Sequence, residues 1–324
     1  MQIKILCPEP NSFSQKGLDY ARDFAQLTAK TMSQSEFEKI APQFDVVLVR
    51  FNTKVGSNIF GKESNIRAVI SPTTGLDHID MKSAKLNGIN VFHLRGKKRF
   101  LKGVSGTAEL SIGLMLSVMR KIPQSFSAVK SGIWETGPFR GNEVAGKTLG
   151  VIDCGRLGSK VSRTAVALGM KVIAYDPYVS RFPAGVEAKN TQLDLFNEAD
   201  IISLHVPLSE ETKHLVSDDE ISQMKDGVVI INTSRGAIIK TSALLDGLSS
   251  EHVSAVALDV IEDEHLMKGT LHPLVEYACK HDNLLITPHI GGATFESVEK
   301  TDLFILRNYH KKMINNYERP LNNS

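Results

Sequence analysis

The stretch from Lys147 to Tyr178, KTLGVIDCGRLGSKVSRTAVALGMKVIAYDPY, decides the fold. Gly150-Val-Ile-Asp153 is an apolar run of buried-strand type. Gly155 and Gly158 open a helix that runs to about Leu168, and Val172-Ile-Ala-Tyr175 is a second strand ending at Asp176. Two glycines spaced G-x-x-G read equally well as a steric turn. With a strand before, a helix after and an acid at the next strand end, they form a dinucleotide-binding unit. Gly155 has no side chain to hold a pyrophosphate off the backbone, and Gly158 lets helix and strand pack closely. The helix N-terminus offers N–H groups and a positive dipole end. Asp176, about 20 residues after Gly155, is placed to accept hydrogen bonds from the adenosine ribose hydroxyls, which favours NAD over its 2′-phosphorylated relative. One element departs from the pattern. Asp153 stands where the first glycine of G-x-G-x-x-G belongs, so the fingerprint reads D-x-G-x-x-G. Asp tolerates unusual backbone angles better than most residues, but a carboxylate facing the pyrophosphate would repel it.

Before this unit, short β-type runs alternate with helical patterns: strand 2–7, helix about 15–29, strands 45–50 and 67–70, helix about 79–87 and strand 89–92. After it, strands fall near 171–175, 200–204, 227–232, 253–258 and 284–286, with helices at 158–168, 217–225 and 241–248. This alternation is the signature of parallel sheets with crossover helices. The expected fold class is α/β: two doubly wound parallel-sheet domains of Rossmann-like or flavodoxin-like type, with the active site in the cleft between them. Residues 105–121 form a helix carrying the chain from the first domain to the second, and a last helix at 295–315 returns to the first. The expected domains are therefore 1–100 plus 291–324 for substrate and 101–290 for NAD. Leu321-Asn-Asn-Ser324 reads as a frayed tail.

At 324 residues the chain suits two domains with separate cores. Its charges nearly cancel at +2, which argues against nucleic-acid and membrane partners. The local cluster Arg95, Lys97, Lys98, Arg99 and Lys102 reads as a solvated loop before it reads as an anion site. Cys7, Cys154 and Cys279 are odd in number and widely spaced, which fits a reducing cytoplasm and no metal. Met1-Gln-Ile-Lys-Ile-Leu6 reads directly as a strand with no charged leader before it. The most apolar helix, Leu110 to Met119, is too short for a bilayer.

Three loops leaving strands of the second domain carry polar groups that loop-building alone does not need. Ile231-Asn-Thr-Ser-Arg235-Gly236 presents an arginine fork able to grip a carboxylate through two parallel bonds. Ala257-Leu-Asp259-Val-Ile-Glu262-Asp-Glu264 supplies carboxylates just past a strand. Ile286-Thr-Pro-His289-Ile-Gly-Gly-Ala-Thr294 places a histidine in a glycine-rich turn. Singly, these are a surface ion pair, solvated acids and a helix cap. Jointly they sit at carboxyl ends of strands, where open α/β sheets bind ligands.

With these loops on view, the whole chain resembles the D-isomer-specific 2-hydroxyacid dehydrogenase family, which includes phosphoglycerate, glycerate, D-lactate and hydroxypyruvate enzymes. The matching segments are Gly75-Leu-Asp-His-Ile-Asp80, Thr107-Ala-Glu109, Gly146 through the glycine turn, His205-Val-Pro-Leu208, Asn232-Thr-Ser-Arg-Gly236, Asp259 through Glu264, and Pro288-His-Ile-Gly-Gly-Ala293. The resemblance assigns the family's arginine to Arg235, its acid to Glu264 and its histidine to His289. The spacing from Asp259 disfavours Glu262, the nearest competitor for the acid. Implied cofactor contacts are Gly155, Arg156, Leu157 and Gly158 at the pyrophosphate, Asp176 at the ribose, and Val206 and Pro207 beneath the adenosine side. Thr233, Asp259, His289 and Gly292 are implied near the nicotinamide, and Thr212 and Ser234 also fall among the contacts. Backbone amides around Thr74 and Gly75 are expected to reach the substrate carboxylate beside Arg235.

Arg50 resembles a ligand for the distal phosphate in phosphoglycerate-type members, and reads as easily as a structural ion pair. The expected substrate is D-3-phosphoglycerate, without a regulatory domain; glycerate/hydroxypyruvate and glyoxylate are the alternatives. A formate-type enzyme is disfavoured by Glu264, since that branch carries glutamine in its place. An NAD(H)-binding corepressor or a degenerate NAD-binding protein is the alternative of another class. The resemblance implies a homodimer to which the 105–121 helix and Trp134 contribute, although Trp134 reads equally as core.

Overall fold

The computed structural model describes residues 2–264 and 271–317, the last three by backbone alone; Leu321–Ser324 lies outside the described residues. Contacts divide the chain into two compact units, Met1–Val104 with Thr294–Ser324, and Ser105–Ala293.

The first unit begins with β1 (Lys4–Cys7), α1 (Gln15–Phe24), β2 (Gln26–Ala29), α2 (Gln34–Ile40), β3 (Val46–Leu48) and β4 (Ala68–Ile70). It continues through α3 (Met81–Leu86), β5 (Asn90–Phe92) and α4 (Lys98–Leu101), which carries part of the exposed basic cluster. Its five strands are all parallel in the order β2-β1-β3-β4-β5. This is the flavodoxin-like winding. Residues 15–29 do not form one helix. Ala25 turns extended, and Gln26–Ala29 pairs with Lys4–Cys7 as an edge strand, so sheet pairing overrides local helical preference.

The second unit contains α5 (Gly106–Met119), α6 (Ile122–Lys130), β6 (Thr148–Ile152), α7 (Gly158–Ala167), β7 (Lys171–Tyr175), β8 (Val186–Ala188) and α8 (Gln192–Glu198). There follow β9 (Ile201–Leu204), α9 (Asp218–Ser222), β10 (Val228–Asn232), α10 (Thr241–Ser249), β11 (Val253–Leu258), α11 (Pro273–Ala278) and β12 (Leu284–Ile286). Seven parallel strands run β12-β11-β10-β9-β6-β7-β8. The order reverses between β9 and β6, the switch point at which such sheets bind nucleotides. The sheet is covered on both faces, which is why β6, β9 and β10 read as unbroken apolar runs. Leu114, Met115, Val161 and Ala165 of α5 and α7 fill one face. Leu195, Phe196, Ile221, Leu244 and Leu274 of α8 to α11 fill the other.

The final helix, α12 (Phe295–Tyr317), belongs to the first unit. Ile305, Leu306 and Tyr309 join Leu18 and Ala21 of α1 in one core, and His310 stacks on Phe24 and lies 3.0 Å from the Tyr20 hydroxyl. Among the described residues no helix is long and apolar enough to cross a membrane, and no group of three or more acidic, histidine or cysteine side chains forms a metal site.

Candidate active site

The loop after β10 is shaped by Asn232. Its Oδ1 accepts from the Ser234 N–H (3.0 Å) and hydroxyl (2.7 Å), and its amide nitrogen donates to the Arg235 carbonyl (2.9 Å). This Asx-type turn projects Arg235 from the strand end, half-buried. Thr233 is pinned from the other side by the Ser111 hydroxyl at 2.7 Å. Gly236 then lies flat on the next loop. A Cβ there would stand 1.9 Å from the Ile261 carbonyl carbon, so only glycine lets the loops after β10 and β11 touch backbone to backbone.

Asp259 follows β11 directly, buried, and its carboxylate is bound from the loop after β12. Its Oδ1 accepts from the Thr287 hydroxyl (2.6 Å) and Ile290 N–H (2.8 Å), its Oδ2 from Gly291 N–H (2.7 Å), and its carbonyl from His289 N–H (2.8 Å). Burial pushes its carboxyl above the usual range while these donors pull against it. Asp259 fastens the histidine turn to its neighbouring strand. That turn holds His289 at φ 55°, a left-handed conformation unusual for a non-glycine residue. His289 Nδ1 lies 2.6 Å from Glu264 Oε1. An ionised carboxylate only accepts, so Nδ1 carries the proton and Nε2 is the nitrogen presented for chemistry.

Glu262 is occupied elsewhere. His214 Nε2 stands 2.7 Å from its Oε1, and the Thr241 hydroxyl donates to its Oε2 at 3.1 Å. Burial works to raise its carboxyl, but these hydrogen bonds outweigh it and hold the group below the usual range. Arg235, Glu264 and His289 thus come from three consecutive strand ends, β10, β11 and β12.

At the switch point, β6 leads into Asp153 at φ 71°, the conformation the missing glycine would have supplied. A Cβ on Gly158 would lie 2.0 Å from the Asp153 carbonyl, so the helix start packs on the turn only as glycine. Asp176, buried at the end of β7, accepts from Cys154 N–H (3.0 Å) and Tyr178 N–H (2.9 Å). Each of its oxygens keeps a lone pair for a ribose hydroxyl. Gly155, Arg156 and Leu157 form the turn itself. After β9, the Thr212 hydroxyl donates to the Pro207 carbonyl (2.6 Å) and accepts from Ser209 N–H (2.8 Å), closing the loop that carries Val206 and Pro207. Gly292 is exposed in the histidine turn. The site therefore fits a dinucleotide, with Asp153 as its discordant residue.

Sequence reading passed over His205, which starts the His-Val-Pro-Leu segment. It is buried with Nε2 2.9 Å from the Ser203 hydroxyl and, among the described residues, no hydrogen-bond partner for Nδ1, and burial lowers its pKa to about 4.

In the first unit, the Thr74–Gly75 turn is braced internally: Thr73 Oγ1 donates to the Gly75 carbonyl (2.7 Å), and Arg95 Nε to the Thr74 carbonyl (3.3 Å). Arg50 turns inward. Its guanidinium meets Asp302 Oδ1 at 2.6 Å and the Thr301 hydroxyl at 3.1 Å, with Asp302 fully buried. Arg50 thus forms one half of a buried ion pair within the first unit. Trp134 is 87% exposed, which corrects the alternative placing it in a core.

A switch-point turn closed by an acid, with a carboxylate-bound histidine and an arginine on strand ends of the same sheet, defines an NAD-linked dehydrogenase. The profile described as D-isomer specific 2-hydroxyacid dehydrogenase, NAD binding domain, matches residues 112–291. The chain is 38% identical to hydroxypyruvate reductase of Thermotoga maritima, over 89% of this chain and 91% of that protein. It is 37% identical to D-3-phosphoglycerate dehydrogenase of Archaeoglobus fulgidus, over 91% of this chain but 54% of that protein; the chain spans about half the length of such relatives. Among solved structures, D-lactate dehydrogenase from Aquifex aeolicus complexed with NAD and lactic acid superposes with TM-score 0.81 at 29% identity, covering 97% of this chain and 96% of that one. The chain belongs to the D-isomer-specific 2-hydroxyacid dehydrogenase family, as an NAD-dependent oxidoreductase acting on CH–OH donors.

Proposed function

We propose that the enzyme interconverts a short D-2-hydroxy acid and its 2-oxo acid, with hydroxypyruvate and D-glycerate preferred over their 3-phosphorylated counterparts. The observation carrying this choice is the Arg50–Asp302 pair: a guanidinium neutralised by a buried carboxylate is poorly suited to a phosphate. The similarity to a hydroxypyruvate reductase is in line with it. The expected D-3-phosphoglycerate becomes the second reading.

In this scheme Arg235 grips the substrate carboxylate and polarises its 2-oxygen, fixing the reacting carbon. His289, through Nε2, gives a proton to that oxygen during reduction and takes it back during oxidation. Glu264 holds the imidazole in the tautomer with Nδ1–H. Asp259 and Asn232 fix the two turns so that these groups keep their positions. The nicotinamide, when bound, supplies or accepts the hydride. Thr233, Ser234 and Gly292 line its end of the site, and Asp176 with the Gly155–Gly158 turn holds the other.

A panel of hydroxypyruvate, glyoxylate and 3-phosphohydroxypyruvate, each with NADH and NADPH and followed by absorbance loss, tests the substrate and cofactor assignments. Highest kcat/KM for hydroxypyruvate with NADH is expected. Preference for the phosphorylated acid refutes the substrate choice, and preference for NADPH refutes the role given to Asp176.

The enzyme is inferred to work as a homodimer in the cytoplasm. Ile122, Phe126 and Val129 of α6, with Ile133 and Trp134 after it, form an exposed apolar strip suited to a second copy, and three free cysteines suit a reducing compartment. Light scattering reading a monomer at micromolar concentration contradicts the dimer.

A further inference from the structure

Asp153 takes part in no step above, yet it sits at the centre of the cofactor unit. In left-handed conformation, its Oδ1 accepts a hydrogen bond from Gly155 N–H at 2.8 Å. That amide is one of those a glycine-rich turn offers to an anion. Just past β7, the neighbouring strand, stands Asp176, whose Oδ2 accepts from the N–H of Cys154, the residue between Asp153 and Gly155. Two carboxyls thus share one turn at the switch point.

We propose that Asp153 is an affinity-setting residue that competes with the cofactor: its carboxylate occupies the Gly155 amide, and pyrophosphate binding requires it to release that amide and take up a proton. This rests on the reading of the Gly155 turn as the pyrophosphate cradle. Protonation relieves three conflicts together: repulsion with the diphosphate, repulsion with Asp176, and the cost of keeping a charge half out of water. The surroundings agree, since burial first, then the Asp176 charge and a hydrogen bond to it, push the Asp153 carboxyl up to about 6. The other ionisable groups near the turn do not take over this titration. Burial raises the Cys154 thiol and holds His205, just past β9, neutral with a pKa of about 4. Arg156 is on the turn itself, and Lys160 of α7 reaches the Ser105 hydroxyl at 2.5 Å.

ADP-ribose is the suitable probe, because it carries the pyrophosphate and both riboses but has no group titrating between pH 5.5 and 8.5, and adenosine is the control lacking the pyrophosphate. Calorimetric titration of wild type, Asp153→Asn and Asp153→Gly covers this range. Asparagine tolerates the left-handed backbone and keeps an acceptor for Gly155, whereas glycine removes both acceptor and charge, so both variants are expected to fold. The wild-type Kd for ADP-ribose should weaken roughly a hundredfold between pH 5.5 and 8.5, with both variants flat and roughly a hundredfold tighter at pH 8.5. Repeating the wild-type titration at pH 8 in buffers of different ionisation heat should show uptake approaching one proton per site, and none in Asp153→Asn. Adenosine binding should respond to neither pH nor substitution. Variants that bind ADP-ribose no tighter than wild type, or an unchanged pH slope in Asp153→Asn, overturn the proposal. If ADP-ribose binds no better than adenosine even in Asp153→Gly, the pyrophosphate reading of the turn falls with it.

Discussion

His289 Nδ1 and Glu264 Oε1 stand 2.6 Å apart, although they leave different strands and His289 adopts a left-handed backbone to make the approach. The pairing depends on two further fixtures: Asp259 ties the histidine turn to the end of β11, and Gly236 lets the arginine loop rest on Ile261. A contact this close sets the tautomer of the imidazole.

Replacing Glu264 by Gln keeps the shape but sets an amide, which can donate as well as accept, against Nδ1, so the Nδ1–H tautomer is no longer fixed. The kcat for reduction should fall by roughly 10- to 100-fold. Glu262→Gln, whose partners are His214 and Thr241, should leave kcat close to wild type. Steady-state kinetics of the two variants check both, and a loss in Glu262→Gln with none in Glu264→Gln would reverse the assignment.

Asp259→Asn presents an amide to a nest of donors. Whichever way it turns, its NH2 faces the Thr287 hydroxyl and Ile290 N–H or the Gly291 N–H, and a buried donor goes unmet. A loss of about 1–3 kcal/mol in urea unfolding is expected, with kcat falling because His289 is no longer held. Full kcat in this variant contradicts the fastening role.

Much of this arrangement is legible along the chain, and the reason for the rest is distance. The apolar runs at 227–232, 253–258 and 284–286 announce buried parallel strands, and the polar residues just after them announce a site, because both signals are local. What each side chain meets is not local. Asp259 finds its partners 28 to 32 residues on, Glu262 finds His214 at 48, and Arg50 finds Asp302 at 252. No spacing rule reaches across such separations, so Arg50 read as well for a ligand as for a core ion pair. The edge strand β2 was hidden for a related reason, since its pairing with β1 outweighs a helical pattern that otherwise continues.

Arg50→Met should strand the buried Asp302 carboxylate with, among the described residues, only the Ser14 donors and cost about 3–5 kcal/mol of stability. Adding Asp302→Asn should recover most of that loss. Chemical denaturation of the single and double variants measures the coupling. A stable single variant that has lost activity toward phosphorylated acids alone contradicts the structural role.

Asp153 also makes stability depend on pH. Its folded pKa, raised from 3.8 to about 6 chiefly by burial, exceeds the unfolded value, so the folded state holds the proton more tightly. Its contribution is whole below about pH 4 and is lost as pH rises through about 6. With solvent screening of a half-buried group, the loss is about 1–2 kcal/mol by pH 8. Asp153→Asn should therefore raise the apo enzyme's melting temperature more at pH 8 than at pH 5. An equal gain at both contradicts the assignment.

In the proposed mechanism His289 moves the proton that accompanies hydride transfer, and NADH oxidation by His289→Ala reads that step. With hydroxypyruvate saturating, kcat should fall by roughly 10²- to 10⁴-fold while NADH affinity, measured by fluorescence titration, stays within a few-fold of wild type. Wild-type kcat in His289→Ala would rule out the proton-transfer role of this histidine.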